Sequence, residues 1–179
     1  MKSSIVIPVP TVIMGLGNPG SSYYKTRHSI GYRVVDALAD RFGGIWRDRG
    51  DLQIADITIN DRPVILVKSN TYMNDSGKAI PCMLKKGVEP ANILVVHDEL
   101  EKPFGALSFK IDGSHRGHNG LRSIINVCGA GFARLRFGIG RPNDQREVPD
   151  YVLKPFGSDE TKVPDFIDQA VVMIEDLYK

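Results

Sequence analysis

The sequence predicts an α/β fold, a single domain over residues 1–179 in which a mixed, mostly parallel, twisted sheet is flanked by helices. Three observations predict it. Short apolar runs without polar alternation, Val12-Ile13-Met14 and Ile93-Leu94-Val95-Val96, read as strands buried on both faces. Between them runs a helical period, with apolar residues at Ile30, Val34, Val35, Leu38 and Phe42. Polar, glycine-bearing loops follow several strands, the place where open α/β sheets bind ligands.

Taken in order, the strand at Val12 leads into a loop that carries Gly15, Gly17 and Gly20 and ends in Thr26-Arg27-His28. The helix from Ile30 to Phe42 stops at Gly43-Gly44. Leu52 to Thr58 alternates apolar and polar residues, Asn60-Asp61 supplies a turn, and Pro63 to Val67 is apolar again, which predicts a β-hairpin. Asn70 to Asn74 closes that second strand. Asp75 or Ser76 is placed to cap a helix running towards Lys86, with Pro81 tolerated in its first turns and Gly87 ending it. The strand Asn92 to Val96 is expected to be central and delivers His97-Asp98-Glu99-Leu100 at its carboxyl end. A further strand, Ala106 to Ile111, precedes the glycine-rich loop 113–120 and a helix from Leu121 to Val127. Arg134 to Ile139 alternates basic and apolar residues, as a strand with one wet face does. Residues 141–150 are expected to be loop, and Ser158-Asp159 opens a final helix reaching Lys179. No internal repeat or linker interrupts the chain.

Composition narrows the function classes. With 42% hydrophobic and 25% charged residues the chain is an ordinary globular protein, and no apolar stretch approaches the ~20 residues of a membrane helix. The opening MKSSIVIPVPT is short for a secretory signal and lacks the Arg-rich character of a transit peptide. Cys82 and Cys128 form neither a metal motif nor a disulfide framework, so a reducing, cytoplasm-like compartment is expected. Charge is unevenly distributed. Residues 102–141 carry seven Lys or Arg against one acid, Asp112, whereas residues 144–179 carry nine acids against four bases. One face is therefore expected to meet a polyanion.

Polar groups recur at strand ends and in glycine loops: Asn18 with His28, Asn74, Asp98, and His118-Asn119. The set holds a candidate base, a candidate orienting carboxylate and several amides. It offers no serine or cysteine in a nucleophile elbow, and its histidines and carboxylates lack metal-ligand spacing. Hydrolysis by a histidine-activated water, with no metal and no cofactor, is the chemistry that remains. Gly15-x-Gly17-x-x-Gly20 matches the dinucleotide fingerprint, but Pro19 and Ser21-Ser22-Tyr23-Tyr24 separate it from the helix that must follow.

Six motifs then carry a resemblance along nearly the whole chain: Gly15-Leu16-Gly17-Asn18-Pro19-Gly20; Thr26-Arg27-His28; Thr71-Tyr72-Met73-Asn74 with Ser76-Gly77; His97-Asp98-Glu99-Leu100; Gly117-His118-Asn119-Gly120; and Arg134-Leu135-Arg136-Phe137-Gly138-Ile139-Gly140. Together they closely resemble the bacterial-type peptidyl-tRNA hydrolase family. The resemblance implies cleavage of the ester between a peptide, or an N-blocked aminoacyl group, and tRNA, with peptidyl-tRNA as the partner. It implies that His28 is the general base, that Asp98 orients it, and that Asn18, Asn74 and Asn119 hold water and peptide. It places Tyr23, Met73 and His118 in the substrate pocket and Lys110, Arg134 and Arg136 against tRNA phosphates. A monomer that ignores aminoacyl-tRNA with a free α-amino group is also implied.

One departure stands out. The family usually has Asn after the histidine, and this chain has Ser29. A non-catalytic RNA-binding or splicing cofactor on the same fold is the alternative that this change leaves open.

Overall fold

The computed structural model describes residues 4–179, so Met1, Lys2 and Ser3 of the predicted domain lie outside it. In chain order the strands are β1 (Val12–Gly15), β2 (Arg47–Asp48), β3 (Leu52–Ile59), β4 (Arg62–Ser69), β5 (Ile93–Glu99), β6 (Leu107–Ile111) and β7 (Ala133–Gly138). They form one sheet in the order β2-β3-β4-β1-β5-β7-β6. The four middle strands, β4, β1, β5 and β7, are parallel, and antiparallel partners extend both flanks.

The helices are α1 (Ile30–Phe42), α2 (Ile80–Lys85), α3 (Asn119–Cys128), α4 (Val148–Val152) and α5 (Val163–Asp176). Side-chain alternation along the strands sorts them onto two faces. Ile13, Leu94, Val96 and Leu135 pack with α1 and α5. Val12, Met14, Ile93 and Val95 pack with α2 and α3 on the opposite face. Among the described residues no helix is long and apolar enough to cross a membrane.

The hairpin, the first helix and the central strand stand as the sequence predicts. Asn60 and Asp61 take positive φ at 47° and 63°, the left-handed pair that a two-residue hairpin turn requires. Gly43, at φ 72°, ends α1 in the left-handed conformation. Two glycines of the opening segment serve packing. A Cβ on Gly15 would run into the carbonyl of Gly31, and one on Gly31 would run into the carbonyl of Val96. The first turn of α1 thus lies directly on β1 and β5. Its start at Ile30, beyond the glycine run, removes the geometry that a pyrophosphate site needs.

Several expectations need correction, and the final helix, α5, begins at Val163 after a 3-10 stretch over Gly157–Lys162 rather than at Ser158. The segment after Asn70 is a 3-10 helix over Met73–Ala79 before α2 begins, and neither Asp75 nor Ser76 caps it. Gly77 there is pressed against the Ser123 carbonyl of α3, which leaves no room for a side chain. Residues 141–150 are not all loop, because α4 starts at Val148 with Pro149 in its first turn. Finally, β7 has no wet face at Arg134, which is 2% exposed. The loop between β6 and α3 folds over that end of the sheet and takes up the guanidinium.

Candidate active site

The site is built where β5 ends beside the segment that leads into α1. Asp98, on the last turns of the pleat of β5, has a side chain only 1% exposed. Its Oδ2 lies 2.9 Å from Nδ1 of His28, and its Oδ1 lies 2.8 Å from Nε2 of His118. His28 sits in a 3-10 turn, Arg27–Ser29, that joins α1 without a break. That turn is strapped to the C-terminal part of the chain. The Arg27 N–H donates to the Lys154 carbonyl, and its guanidinium lies 3.9 Å above the Tyr151 ring.

Hydrogen-bond directions fix the protons. The N–H of Leu121 donates to Nδ1 of His118 at 3.3 Å, so the ring proton of neutral His118 is on Nε2 and points at Asp98. A carboxylate only accepts, so His28 also presents its Nδ1–H to Asp98 and leaves Nε2 bare. Asp98 therefore orients two imidazoles at once, whose rings are tilted with centroids 4.9 Å apart.

The electrostatics follow from burial and pairing. Burial pushes the Asp98 carboxyl up, but the two histidines beside it, by charge and hydrogen bond, hold it well below the usual carboxylate range. Burial lowers the pKa of His28, and the Asp98 charge and hydrogen bond more than reverse this, leaving it above the ordinary histidine value. His97 behaves oppositely. Its Nδ1–H donates to the Asp98 main-chain carbonyl at 2.8 Å, and burial followed by repulsion from His118 pulls its pKa down to about 3. His97 is a neutral brace.

His28, Asp98 and His118 bring three donor atoms within 4.8 Å of one another, a grouping that linear spacing does not reveal. The donors do not suit a metal as they stand. Both ring nitrogens facing Asp98 carry protons, and freeing that of His118 would set a new Nδ1–H against the Leu121 N–H. The arrangement fits a base with an oriented proton.

A cavity of about 320 Å³ opens in front of these groups, lined by His28, Asp98, His118 and Asn119, by apolar Leu100, Leu121, Val148 and Val152, and by Lys110, Arg116, Arg134, Arg136 and Arg141. Some of the positive charge is already matched. Arg141 pairs with Glu101, and Arg136 lies 3.8 Å from Glu99. Lys110 and Arg116 have no acidic partner among the described residues.

Residues 12–179 match the family model described as peptidyl-tRNA hydrolase. The chain belongs to the peptidyl-tRNA hydrolase family. It is 40% identical over 171 residues to the peptidyl-tRNA hydrolase of Nocardia farcinica, covering 93% of this chain and 89% of that one. Against that of Mycolicibacterium vanbaalenii it is 42% identical over 166 residues, covering 90% and 86%. The crystal structure of peptidyl-tRNA hydrolase from Acinetobacter baumannii superposes with a TM-score of 0.91 at 37% identity, covering 98% of this chain and 91% of that chain.

Set against the family pattern, the fold gathers the expected residues unequally. His28, Asp98, His118, Asn119, Lys110 and Arg136 share the main cavity. Asn18 is 6% exposed beside it and lines a separate hollow with Tyr24 and Lys68. Its main-chain N–H donates to Ser29 Oγ at 3.0 Å, and its Oδ1 accepts the Met73 N–H at 2.7 Å. Asn18 thereby ties the glycine loop to the segment that carries Asn74. Met73 is itself buried, at 3% exposure. Asn74 is exposed on a groove that meets the main cavity at Asn119. Tyr23 stacks edge-on against Tyr72. The pairing of His118 with Asp98, the brace of His97 and the bond of Ser29 to Asn18 are what residue types alone did not reveal. Only the glycine loop around His118 hinted at the first.

Proposed function

We propose that this chain hydrolyses the ester joining a peptide, or an N-blocked aminoacyl group, to the 3′ end of tRNA, through a water activated by His28. The observation that carries the reading is Asp98, buried between two ring N–H groups, which leaves the Nε2 of His28 as a bare base at a cation-lined cavity. His28 Nε2 takes one proton from the water as its oxygen adds to the ester carbonyl carbon. The tetrahedral intermediate then expels the ribose 3′ oxygen, which receives that proton back from the imidazolium. Asp98 stabilises the imidazolium between the two steps. Asn18, Asn74 and Asn119 are assigned to the water, the carbonyl and the peptide backbone, and Tyr23, Met73 and His118 to the walls of the pocket. Lys110 and Arg136 attract phosphates without reading sequence, as acceptance of many tRNAs requires.

Ser29 fits this reading. Its hydroxyl holds the loop that bears Asn18, so the change from the usual Asn keeps an anchor beside the base. The test is release of the blocked amino acid from an N-acetyl-aminoacyl-tRNA, with unblocked aminoacyl-tRNA as control. Release from the blocked substrate alone supports the reading. Binding of both RNAs with cleavage of neither would favour the non-catalytic RNA-binding role.

A further inference from the structure

Arg134 stands where the family resemblance expects a contact to tRNA phosphate, yet its surroundings assign it other work. It lies on β7, between β5 and the edge strand β6, paired with Val95 on one side and Lys110 on the other. It is 2% exposed. Its Nη1 donates to the Ser114 carbonyl at 2.9 Å, its Nη2 donates to the Gly113 carbonyl at 2.6 Å, and its guanidinium carbon sits 4.8 Å from the centroid of the Phe132 ring.

Those two carbonyls belong to a loop that does not hold itself well. Asp112, Gly113, Arg116 and Gly117 take positive φ at 64°, 102°, 46° and 83°, two of them residues with a Cβ. The other bonds of the loop are mostly local. Gly113 N–H donates to Asp112 Oδ1, Gly117 N–H to His115 Nδ1, and His118 N–H to the His115 carbonyl. Among the described residues, the loop before His118 is tied by main-chain hydrogen bond to the start of β7 through Asp112 N–H to the Phe132 carbonyl, long at 3.4 Å. The loop ends on His118, which must reach Asp98 at 2.8 Å, and on Asn119, which lines the cavity.

We propose that Arg134 is a positioning residue: its planar fork clamps the Gly113 and Ser114 carbonyls and so sets His118 against Asp98 and Asn119 at the cavity. This rests on the hydrolytic reading for its effect on rate, but the clamp itself is a structural claim. A planar guanidinium suits two adjacent carbonyls, and a lysine ammonium on a similar stem does not span them in the same way. A phosphate ligand would instead keep its donors facing solvent, as Lys110 does more nearly than Arg134.

The experiment compares wild type, Arg134→Lys, Arg134→Ala and Arg136→Ala on N-acetyl-aminoacyl-tRNA, with tRNA affinity measured across salt concentrations. The clamp predicts that Arg134→Lys lowers kcat by about 10- to 100-fold, with tRNA affinity and its salt slope unchanged. Added guanidinium ion restores part of the loss in Arg134→Ala. Arg136→Ala shows the converse pattern of weaker binding and a shallower salt slope. Loss of affinity in Arg134→Lys at constant kcat, or no change in either, overturns the proposal. If Arg134→Ala does not fold, Arg134→Lys, which keeps the charge and most of the stem, carries the comparison. The low-field proton NMR signal of the His118 ring N–H separates this claim from the hydrolytic reading. It is present in wild type and lost in Arg134→Lys if the clamp exists, whether or not the wild type cleaves ester. A signal that persists unchanged in the variant counts against the clamp.

Discussion

The main-chain N–H of Asn18 donates to the hydroxyl of Ser29, eleven residues later, in a bond of 3.0 Å that is sealed from solvent. Ser29 follows His28, the proposed base, and the Oδ1 of Asn18 accepts the Met73 N–H, so Asn18 ties the segments of Ser29 and Met73 together. Ser29→Ala leaves a buried N–H without a partner. Stability should fall by about 1–3 kcal/mol, read from the denaturant midpoint, with a parallel drop in kcat. An alanine variant of full stability and activity would show the bond to be dispensable.

Asp98 accepts from both His28 and His118, and an amide in its place has only one accepting oxygen. In Asp98→Asn one of the two histidines faces an NH2 group and must flip its tautomer. If that is His28, its proton moves to Nε2 and the base is blocked. The expected loss in kcat is about 10² to 10⁴-fold with the fold retained, measured by steady-state turnover and circular dichroism.

The rate should depend on pH through His28. Its pKa lies above 6.5, burial notwithstanding, because of the charge and hydrogen bond of Asp98. The base works unprotonated, so kcat should rise with pH and level off only above an inflection that is higher than 6.5. In whatever activity Asp98→Asn retains, burial acts alone and the inflection should fall below that value. An inflection that stays put in the variant would detach His28 from Asp98.

His97 makes a stability prediction of opposite sign. Its pKa is lowered from 6.5 to about 3 in the folded protein by burial, with His118 and Arg134 adding repulsion and Asp98 opposing. The unfolded chain therefore binds the extra proton first. The stability contributed by neutral His97 is complete above about 6.5 and is lost as pH falls towards 3. His28, with its raised pKa, acts the other way, contributing stability below about 6.5 that is lost as pH rises through its folded value. Chemical denaturation of His97→Gln across this window should show a shallower acid loss than the wild type.

Gly31 lies where α1 crosses β1 and β5, and a methyl group there meets the Val96 carbonyl and the main chain of Leu16. The contacts are backbone on both sides and have nowhere to move. Gly31→Ala should cost about 1–3 kcal/mol and, by lifting the start of α1, displace His28. Thermal unfolding and kcat should fall together.

Much of this architecture is legible in the chain. Val12-Ile13-Met14 and Ile93-Leu94-Val95-Val96 are apolar throughout because strands covered on both faces bury every side chain. Phe42 and Gly43 mark the end of α1 because an apolar stripe followed by a glycine able to turn left-handed is a common helix stop. Asp98 announces itself as a carboxylate at a strand end, and His28 as a histidine closing the glycine loop that follows β1. Arg134 does not, since the alternation Arg134-Leu135-Arg136 has the period of a half-exposed strand, and only the covering loop distinguishes a buried guanidinium from a wet one. The partnership of His118 with Asp98 is only hinted at by the glycine loop around His118, because residues twenty apart meet through the crossover from β6 to α3 and no periodicity records it.

In the proposed reaction the bare Nε2 of His28 activates the water. That role is tested most directly by His28→Ala and wild type side by side, following release of N-acetyl amino acid from N-acetyl-aminoacyl-tRNA and, separately, tRNA binding. The account predicts turnover by the wild type, a loss of about 10²-fold or more in the variant, and tRNA affinity within a factor of about two. Near-normal turnover by His28→Ala would contradict it and place the base elsewhere.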